Sequence, residues 1–391
     1  MIQTFNQHVV KKENKIIVLE TIKEYSPISR TNIANKTGLN KGTVSSLVNE
    51  LLKKDIIYES GPGQSSGGRK PVMLLFKKQA GYSIGIDLGV NYLLGILTDL
   101  EGNIINEQKV DLHVLSYKKV EKLLFEVIDA LITNAPRSTY GIIGIGIGVP
   151  GVVSNDGEIL LAPNLNWKQI QMKSILQDKY NLPVIVENEA NVGAYGEKIY
   201  GVGQDFDDII YVSVGIGIGV GLILNSKLYK GKNGFSGELG HTTIEVNGER
   251  CSCGNTGCWE LYASERALLH RAKKLKSNVP DKTATLESLN LLAEDNKNVA
   301  HLFESVGDYI GVGINNIIRT LNPELVIIGN RIISARKWID APLKHRIQTY
   351  PPDFKGNSFD LKYATLGTYS AALGASAFTV ENFIDSLSII K

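Results

Sequence analysis

The chain has 391 residues, 43% of them apolar, which is too long for one ordinary domain and sufficient for two or three hydrophobic cores. No run of 18 apolar residues occurs and the opening stretch MIQTFNQHVVKKEN lacks an apolar signal core, so the expectation is a cytoplasmic protein with no membrane partner. The net charge of +2 conceals an asymmetry: residues 1–80 carry 13 Lys and Arg against 6 Asp and Glu, whereas residues 81–391 carry 29 against 34.

A basic module on an acidic body suits a DNA-reading head. Within it, Asn14 to Glu24 reads as a helix that Ser26-Pro27 stops. Ser29 then caps a second helix running to about Thr37, and Gly38 ends it. Asn40 caps a third helix, whose apolar Val44, Leu47, Val48 and Leu51 fall at i, i+3, i+4 and i+7. Its other face presents Lys41, Thr43, Ser45, Ser46 and Asn49. These are short, mostly uncharged side chains that suit hydrogen bonding to base edges better than a merely solvated face would. Arg30, opening the second helix, joins this DNA-facing set. Two β-rich runs follow, IIYES at 56–60 and PVMLLF at 71–76, joined by GPGQSSGGRK. The loop is too glycine-rich to pack and ends in Arg69-Lys70, a cation pair suited to phosphates or a minor groove. A flexible linker is the alternative reading of the loop. The whole reads as a winged helix-turn-helix over residues 1–80, acting as a homodimer on a two-fold operator because one head reads too few base pairs.

From Tyr82 the pattern becomes strand, glycine turn, strand, turn, strand, and the same rhythm returns at 209–231. This duplication predicts two related α/β lobes over residues 81–391 with a cleft between them. A strand over 141–151 and a strand-to-helix transition over 183–198 lie between the copies. After residue 260 the chain reads as mainly helical with one further strand, LVIIGN at 325–330. Gly146, Gly148 and Gly151 match G-x-G-x-x-G, but Pro150 intrudes and VVSNDGEILL reads as strand rather than helix, so no dinucleotide site is expected; no Walker A sequence occurs.

All three cysteines, Cys251, Cys253 and Cys258, fall in GELGHTTIEVNGERCSCGNTGCWE at 237–260, with His241 ten residues upstream of the first. Three thiolates and an imidazole make a Cys3His structural zinc site; three unligated thiols are the alternative. Zinc prefers sulfur and nitrogen, which leaves Glu238 and Glu260 for other work.

The paired glycine-turn lobes resemble the sugar kinase and actin-like fold, and GELGH followed by CSCGNTGCWE is similar to the zinc signature of the ROK family, which contains sugar kinases and sugar-responsive repressors. The fused winged helix with QSSGGRKPVML points to the repressor branch. There NKGTVSSLVNELL, GYSIGIDLGV, VENEANVGAYGEK and GCWELYAS are most similar to xylose operon repressors of Gram-positive bacteria. The resemblance implies sugar contacts from Asn188, Glu189, Glu238, His241 and Glu260, with His241 shared between zinc and sugar. It also exposes departures from the kinases. The first turn reads Asp87-Leu88-Gly89-Val90-Asn91-Tyr92 instead of Asp-x-Gly-Gly-Thr-Lys, Ile216 replaces a Thr, and Gly329-Asn330 replaces Gly-Gly. Glu189 stands where an Asp acts as base, one methylene too long for that task and able to occupy the space a hexose C6 needs. The expectation is therefore a non-enzymatic repressor of a xylose-utilisation operon, released from operator DNA by xylose. A sugar kinase, or a repressor answering to another sugar such as glucose, is the alternative.

Overall fold

The computed structural model describes residues 7–62, 71–113, 116–275, 284–348 and 359–387; Arg69 and Lys70 lie outside them. Among the described residues no helix is long and apolar enough to cross a membrane.

Helix α1 (Gln7–Tyr25) starts well before Asn14, because no Gly or Pro interrupts the segment ahead of that residue. Helix α2 (Arg30–Thr37) is capped by the Ser29 hydroxyl, which accepts from the Asn32 amide, and ends on left-handed Gly38 at φ 72°. The Asn40 side chain accepts from the Thr43 amide and starts α3 (Lys41–Lys53), which buries Val44, Leu47, Val48 and Leu51. Strand β1 (Ile28–Ser29) is an unforeseen third member of the sheet formed by β2 (Ile57–Pro62) and β3 (Val72–Phe76), in the order β1-β3-β2. The ammonium of Lys15, only 2% exposed, lies 2.7 Å from Glu50, which also holds Lys11 at 2.6 Å and so fastens α1 to α3.

The first lobe is built on β4 (Tyr82–Leu88), β5 (Tyr92–Asp99), β6 (Ile104–Asp111), β7 (Ile142–Val149) and β11 (Val184–Asn188), ordered β11-β7-β4-β5-β6. Helix α4 (Tyr117–Thr133) packs against it, and β8 (Val152–Val153), β9 (Ile159–Ala162) and β10 (Trp167–Ile170) form a small sheet before α5 (Met172–Tyr180). Residues 152–161 are thus two short strands, consistent with the absence of a dinucleotide-binding helix there. Helix α6 (Glu189–Tyr200) leads to the second lobe, whose sheet runs β14-β13-β12-β15-β16. Its members are β12 (Ile209–Val214), β13 (Ile218–Leu224), β14 (Lys227–Leu228), β15 (Leu325–Gly329) and β16 (Asp360–Tyr363). The last corrects the expectation of one further strand after residue 260: DLKY is half-polar because it is an edge strand, pairing parallel with β15 alone. Helices α7 (Glu260–Ala263), α8 (Glu265–Lys274), α9 (Leu286–Leu292), α10 (Lys297–Leu321) and α11 (Arg336–Gln348) complete this lobe.

Helix α12 (Ser370–Leu387) returns to the first lobe and packs on β4 and β7, while α6 packs on β12 and β13, so the two helices meet between the sheets. They meet almost backbone to backbone. A Cβ on Gly374 would sit 1.7 Å from the Val192 carbonyl oxygen, and one on Gly196 would sit 2.2 Å from that of Ser370. The far end of α12 bridges the lobe, through Leu100 and Ile143, to the head. Its Val380, Ile384 and Leu387 enter the core of the N-terminal head with Leu19, Leu51 and Phe76, burial that contributes roughly 1.5–3 kcal/mol per side chain. Tyr140, edge-on to Phe383 at 4.9 Å, donates to the Lys54 carbonyl at 2.6 Å, and the Lys54 ammonium donates to the Leu387 carbonyl.

Burial opposes ionisation of Glu50, but hydrogen bonds from Lys11 and Lys15 prevail and hold its carboxyl below the ordinary value. Its contribution is therefore present above that ordinary value and is lost as pH falls through the depressed one. Glu50→Ala, which strands a buried ammonium, should lower stability by about 2–3 kcal/mol, read as a lower midpoint in thermal or urea unfolding near neutral pH. An unchanged midpoint would mean that Lys15 is solvated after all.

Candidate functional site

The cleft between the lobes encloses about 1160 Å³ of space open to solvent, and Asn188, Glu189, Glu238, His241 and Glu260 all line it. The first two come from the junction of β11 and α6. Asn188 caps that helix: its Oδ1 accepts from the amides of Ala190 at 2.8 Å and Asn191 at 3.2 Å, and its Nδ2 donates to the Gly151 carbonyl at 2.8 Å. One amide hydrogen is left for a ligand. Just before it, the buried Glu187 accepts from the Asn188 amide and the Asn191 side chain and meets Lys230 of the second lobe at 2.6 Å. Arg266 donates to the Asn164 side chain, a second contact across the cleft.

Glu238 opens a short 3-10 turn, Glu238–His241, and has no hydrogen-bond partner among the described residues. Burial, reinforced by Glu260 and opposed by His241, raises its carboxyl above the ordinary value. Glu260 is buried at the start of α7, with one oxygen 3.4 Å from the Ile218 amide and the other 4.0 Å from His241 Nδ1. Three groups able to bind hydroxyls thus converge from one side of the cleft.

His241, Cys251, Cys253 and Cys258 place one donor atom each within 4.8 Å of one another, an arrangement that could hold a metal ion. Cys253 and Cys258 sulfurs are 3.7 Å apart, and Cys251 Sγ is 3.6 Å from His241 Nδ1. A tetrahedron with arms of about 2.3 Å has edges of about 3.8 Å, so the spacing fits a four-coordinate cation. Burial and the sulfurs of Cys253 and Cys251 push the Cys258 thiol up to about 12. Three thiols this close would ionise together only with positive charge between them.

The other end of the cleft is filled by the protein itself. Tyr92 donates to Asp87 Oδ2 at 2.6 Å and its ring lies over Gly89. Glu189 Oε1 accepts from Asn330 Nδ2 at 2.8 Å and lies 3.3 Å from the Ser213 hydroxyl, so its carboxylate reaches toward the ends of β12 and β15. Burial raises Glu189 above the ordinary carboxyl value against the Ser213 hydrogen bond. Burial first, then the charge of Glu189, raises Asp87 well above its ordinary value. Ser213 escaped sequence reasoning, although it is the lone polar residue in the strand IIYVSV. Asn330 stood out only as a replaced glycine.

In the head, Lys41, Ser46 and Asn49 are exposed on α3, with Thr43 and Ser45 half-buried beside them. Arg30 is already engaged, 3.0 Å from Glu59 of β2 and 3.4 Å from Asn49 Oδ1, so it braces α3 against the wing strand. Arg69 and Lys70 lie outside the described residues.

The ROK family profile matches residues 83–382, and one described as winged helix-turn-helix DNA-binding matches residues 12–58. The chain is 47% identical to the xylose repressor of Bacillus subtilis (strain 168) over 384 residues, 98% of this chain and 99% of that one. Its structure is similar to that of a ROK family transcriptional regulator, a homologue of the E. coli MLC protein, at a TM-score of 0.83 and 27% identity over 98% of each chain. It is also similar to a ROK family glucokinase from Streptomyces griseus in complex with glucose and AMPPNP, at a TM-score of 0.69 and 26% identity over 76% of this chain and 99% of that one.

Asp87 Oδ1 is buried without a hydrogen-bond partner among the described residues. A carboxyl raised on folding binds its proton more tightly in the native state, so stability falls as pH climbs from the ordinary carboxyl value upward. Asp87→Asn removes the charge at constant shape and should stabilise the protein by about 1–3 kcal/mol at neutral pH while flattening that slope. Thermal midpoints across pH 4 to 8 measure it, and a variant with the wild-type slope would refute the assignment.

Proposed function

Since the chain belongs to the ROK family and carries a winged helix-turn-helix ahead of the family domain, we propose that it represses a xylose-utilisation operon and leaves its operator when xylose enters the cleft. The observation that carries this reading is the continuity of the fold between cleft and head. Helix α6 starts among the cleft residues, packs along α12, and α12 ends in the core of the head. A sugar that changes how the lobes sit can therefore change where the reading helices point. In a homodimer on a two-fold operator, a small misplacement of either head removes one half-site.

Zinc is the metal this donor set selects, because thiolate and imidazole favour it over the hard cations. His241, Cys251, Cys253 and Cys258 would fill all four positions, so the ion would be structural, and the same four side chains would hold the loop to the cleft with His241 Nδ1 turned toward the sulfurs. His241 then offers Nε2, and Glu238 and Glu260 offer carboxylates, to sugar hydroxyls. The likeness to a glucokinase supports a second reading, a sugar kinase. Against it stand the first turn without its glycine, hydroxyl and cation, Ile216 in the second turn, and Glu189 at the position of the base. Incubation with ATP, Mg²⁺ and a sugar panel should release no ADP; turnover at an ordinary enzymatic rate would overturn the repressor reading.

Operator fragments from the chain's own genomic neighbourhood provide the main test. Xylose should weaken operator binding about 5- to 150-fold, the usual span of coupling between two sites, and operator must weaken xylose binding by the same factor. Cys258→Ser should lose zinc, by elemental analysis, and the xylose response, while the variant still binds operator. Equal operator affinity with and without xylose sinks the effector assignment, and zinc-free wild-type protein sinks the metal.

Ser45→Ala and Asn49→Ala should relax sequence preference on α3, each mismatch discrimination shrinking by about 1–3 kcal/mol. Arg69→Ala should instead weaken binding across all sequences and reduce the salt slope by about one. Loss of discrimination alone in the Arg69 variant would remove the wing from the phosphate backbone.

A further inference from the structure

The geometry points to Asn330 as a positioning residue for the effector cleft: its carboxamide holds the Glu189 carboxylate in place, so that the two residues work as a matched pair. Asn330 directly follows β15, with φ 69° and ψ −164°, a backbone conformation that favours glycine. A side chain kept in such a conformation needs compensating contacts, and Asn330 has three. Its Oδ1 accepts from the Arg331 amide at 2.7 Å, and its Nδ2 donates to Glu189 Oε1 at 2.8 Å and to the Ser213 hydroxyl at 2.9 Å. The carboxamide lies over Gly215, where a Cβ would stand 2.9 Å from Nδ2.

The chemistry of the pair explains why its members suit each other. Glu189 opens α6 at the point where the chain leaves the first lobe, while Asn330 and Ser213 stand at the ends of β15 and β12 in the second. A glutamate has one more rotatable bond than an aspartate and, left alone beside buried Asp87, would turn among several rotamers. The donors of Asn330 and Ser213 select one of them by holding Oε1 at 2.8 Å and 3.3 Å. Aspartate would fall short of Asn330 by the length of a C–C bond, about 1.5 Å. Glu189 lines the cleft, and its second oxygen, without a hydrogen-bond partner among the described residues, is left for a ligand there. This inference rests on the cleft being the effector site, and it adds that sugar affinity and selectivity depend on a residue that need not touch the sugar.

The test combines a sugar-free measurement with a sugar-binding one. In the absence of sugar, unfolding equilibria of wild type, Asn330→Gly, Glu189→Asp and the double variant form a double-mutant cycle. Glycine suits the Asn330 backbone, so that variant folds. The two substitutions should be non-additive by about tenfold in the unfolding constant, the scale of a hydrogen bond to a charged group. Xylose titration of Asn330→Gly should show affinity about tenfold lower, with the xylose-to-glucose ratio changed. Asn330→Asp, which keeps the acceptor for the Arg331 amide but loses the donor, should behave likewise in xylose binding. An additive cycle overturns the pair. A coupled cycle with unchanged xylose affinity and ratio in Asn330→Gly overturns the positioning role, as does wild-type behaviour of Asn330→Asp. If the wild type itself binds no xylose, the effector reading fails, and the cycle still decides whether the pair exists.

Discussion

One buried carboxylate, that of Glu197, ties the helix that begins at the cleft to the helix that ends in the head. Fully enclosed near the end of α6, it accepts from the amides of Val202, Thr365 and Leu366 and from the hydroxyls of Thr365 and Ser370. A buried anion is tolerable only when its lone pairs are met in this way, and here almost every donor belongs to the turn that starts α12. The relative position of the two helices is thereby fixed at one end. The backbone contact between Gly374 and Val192 fixes it again nearer the start of α6, and Tyr195 stacked on Phe378 at 4.0 Å adds a ring contact. Removing Glu197 would leave up to five donors without a partner, so this joint is held by satisfaction of polar groups as much as by apolar packing.

The second lobe solves a different problem. Its loop over residues 242–258 contains no regular helix or strand, only isolated bridges between Thr243 and Cys258 and between Arg250 and Thr256. A segment with so little regular structure is one that an ion held by its own side chains would order. The cluster of His241 and the three cysteines is placed where such an ion would also aim an imidazole along the cleft wall. Local order there depends on composition rather than on core size.

Much of this was legible in the sequence because the signals are local. Ser29, Gly38 and Asn40 punctuate the head through caps that depend on their own immediate neighbours, and the apolar spacing on α3 names its buried face directly. The cysteine spacing carried the cluster for the same reason. Partners distant in sequence were not legible. Periodicity identifies a buried face without saying what covers it, so the double duty of α12, apolar toward a sheet, a helix and finally the head, gave no distinct signature. The ion pair of Arg30 with Glu59 and the hydrogen bond from Asn188 Nδ2 to the Gly151 carbonyl are partnerships of this kind. Strand β16 was missed because four half-exposed residues with one neighbour lack the apolar run that marks an interior strand.

The glycine contacts along α12 also have a mechanical meaning. Where side chains separate two elements, rotamer changes absorb a displacement of an ångström or so before the partner feels it; where backbone rests on backbone there is nothing to yield. With 18 residues, α12 is a rod about 27 Å long, and tilting it by roughly 5° at the Glu197 end swings the opposite tip by about 2 Å. That tip is embedded among the residues that support the third helix of the head. The molecule is geared for stiffness: a shift too slight to break any contact at the cleft is enlarged with distance and delivered, with little damping, to the surface that would meet the operator.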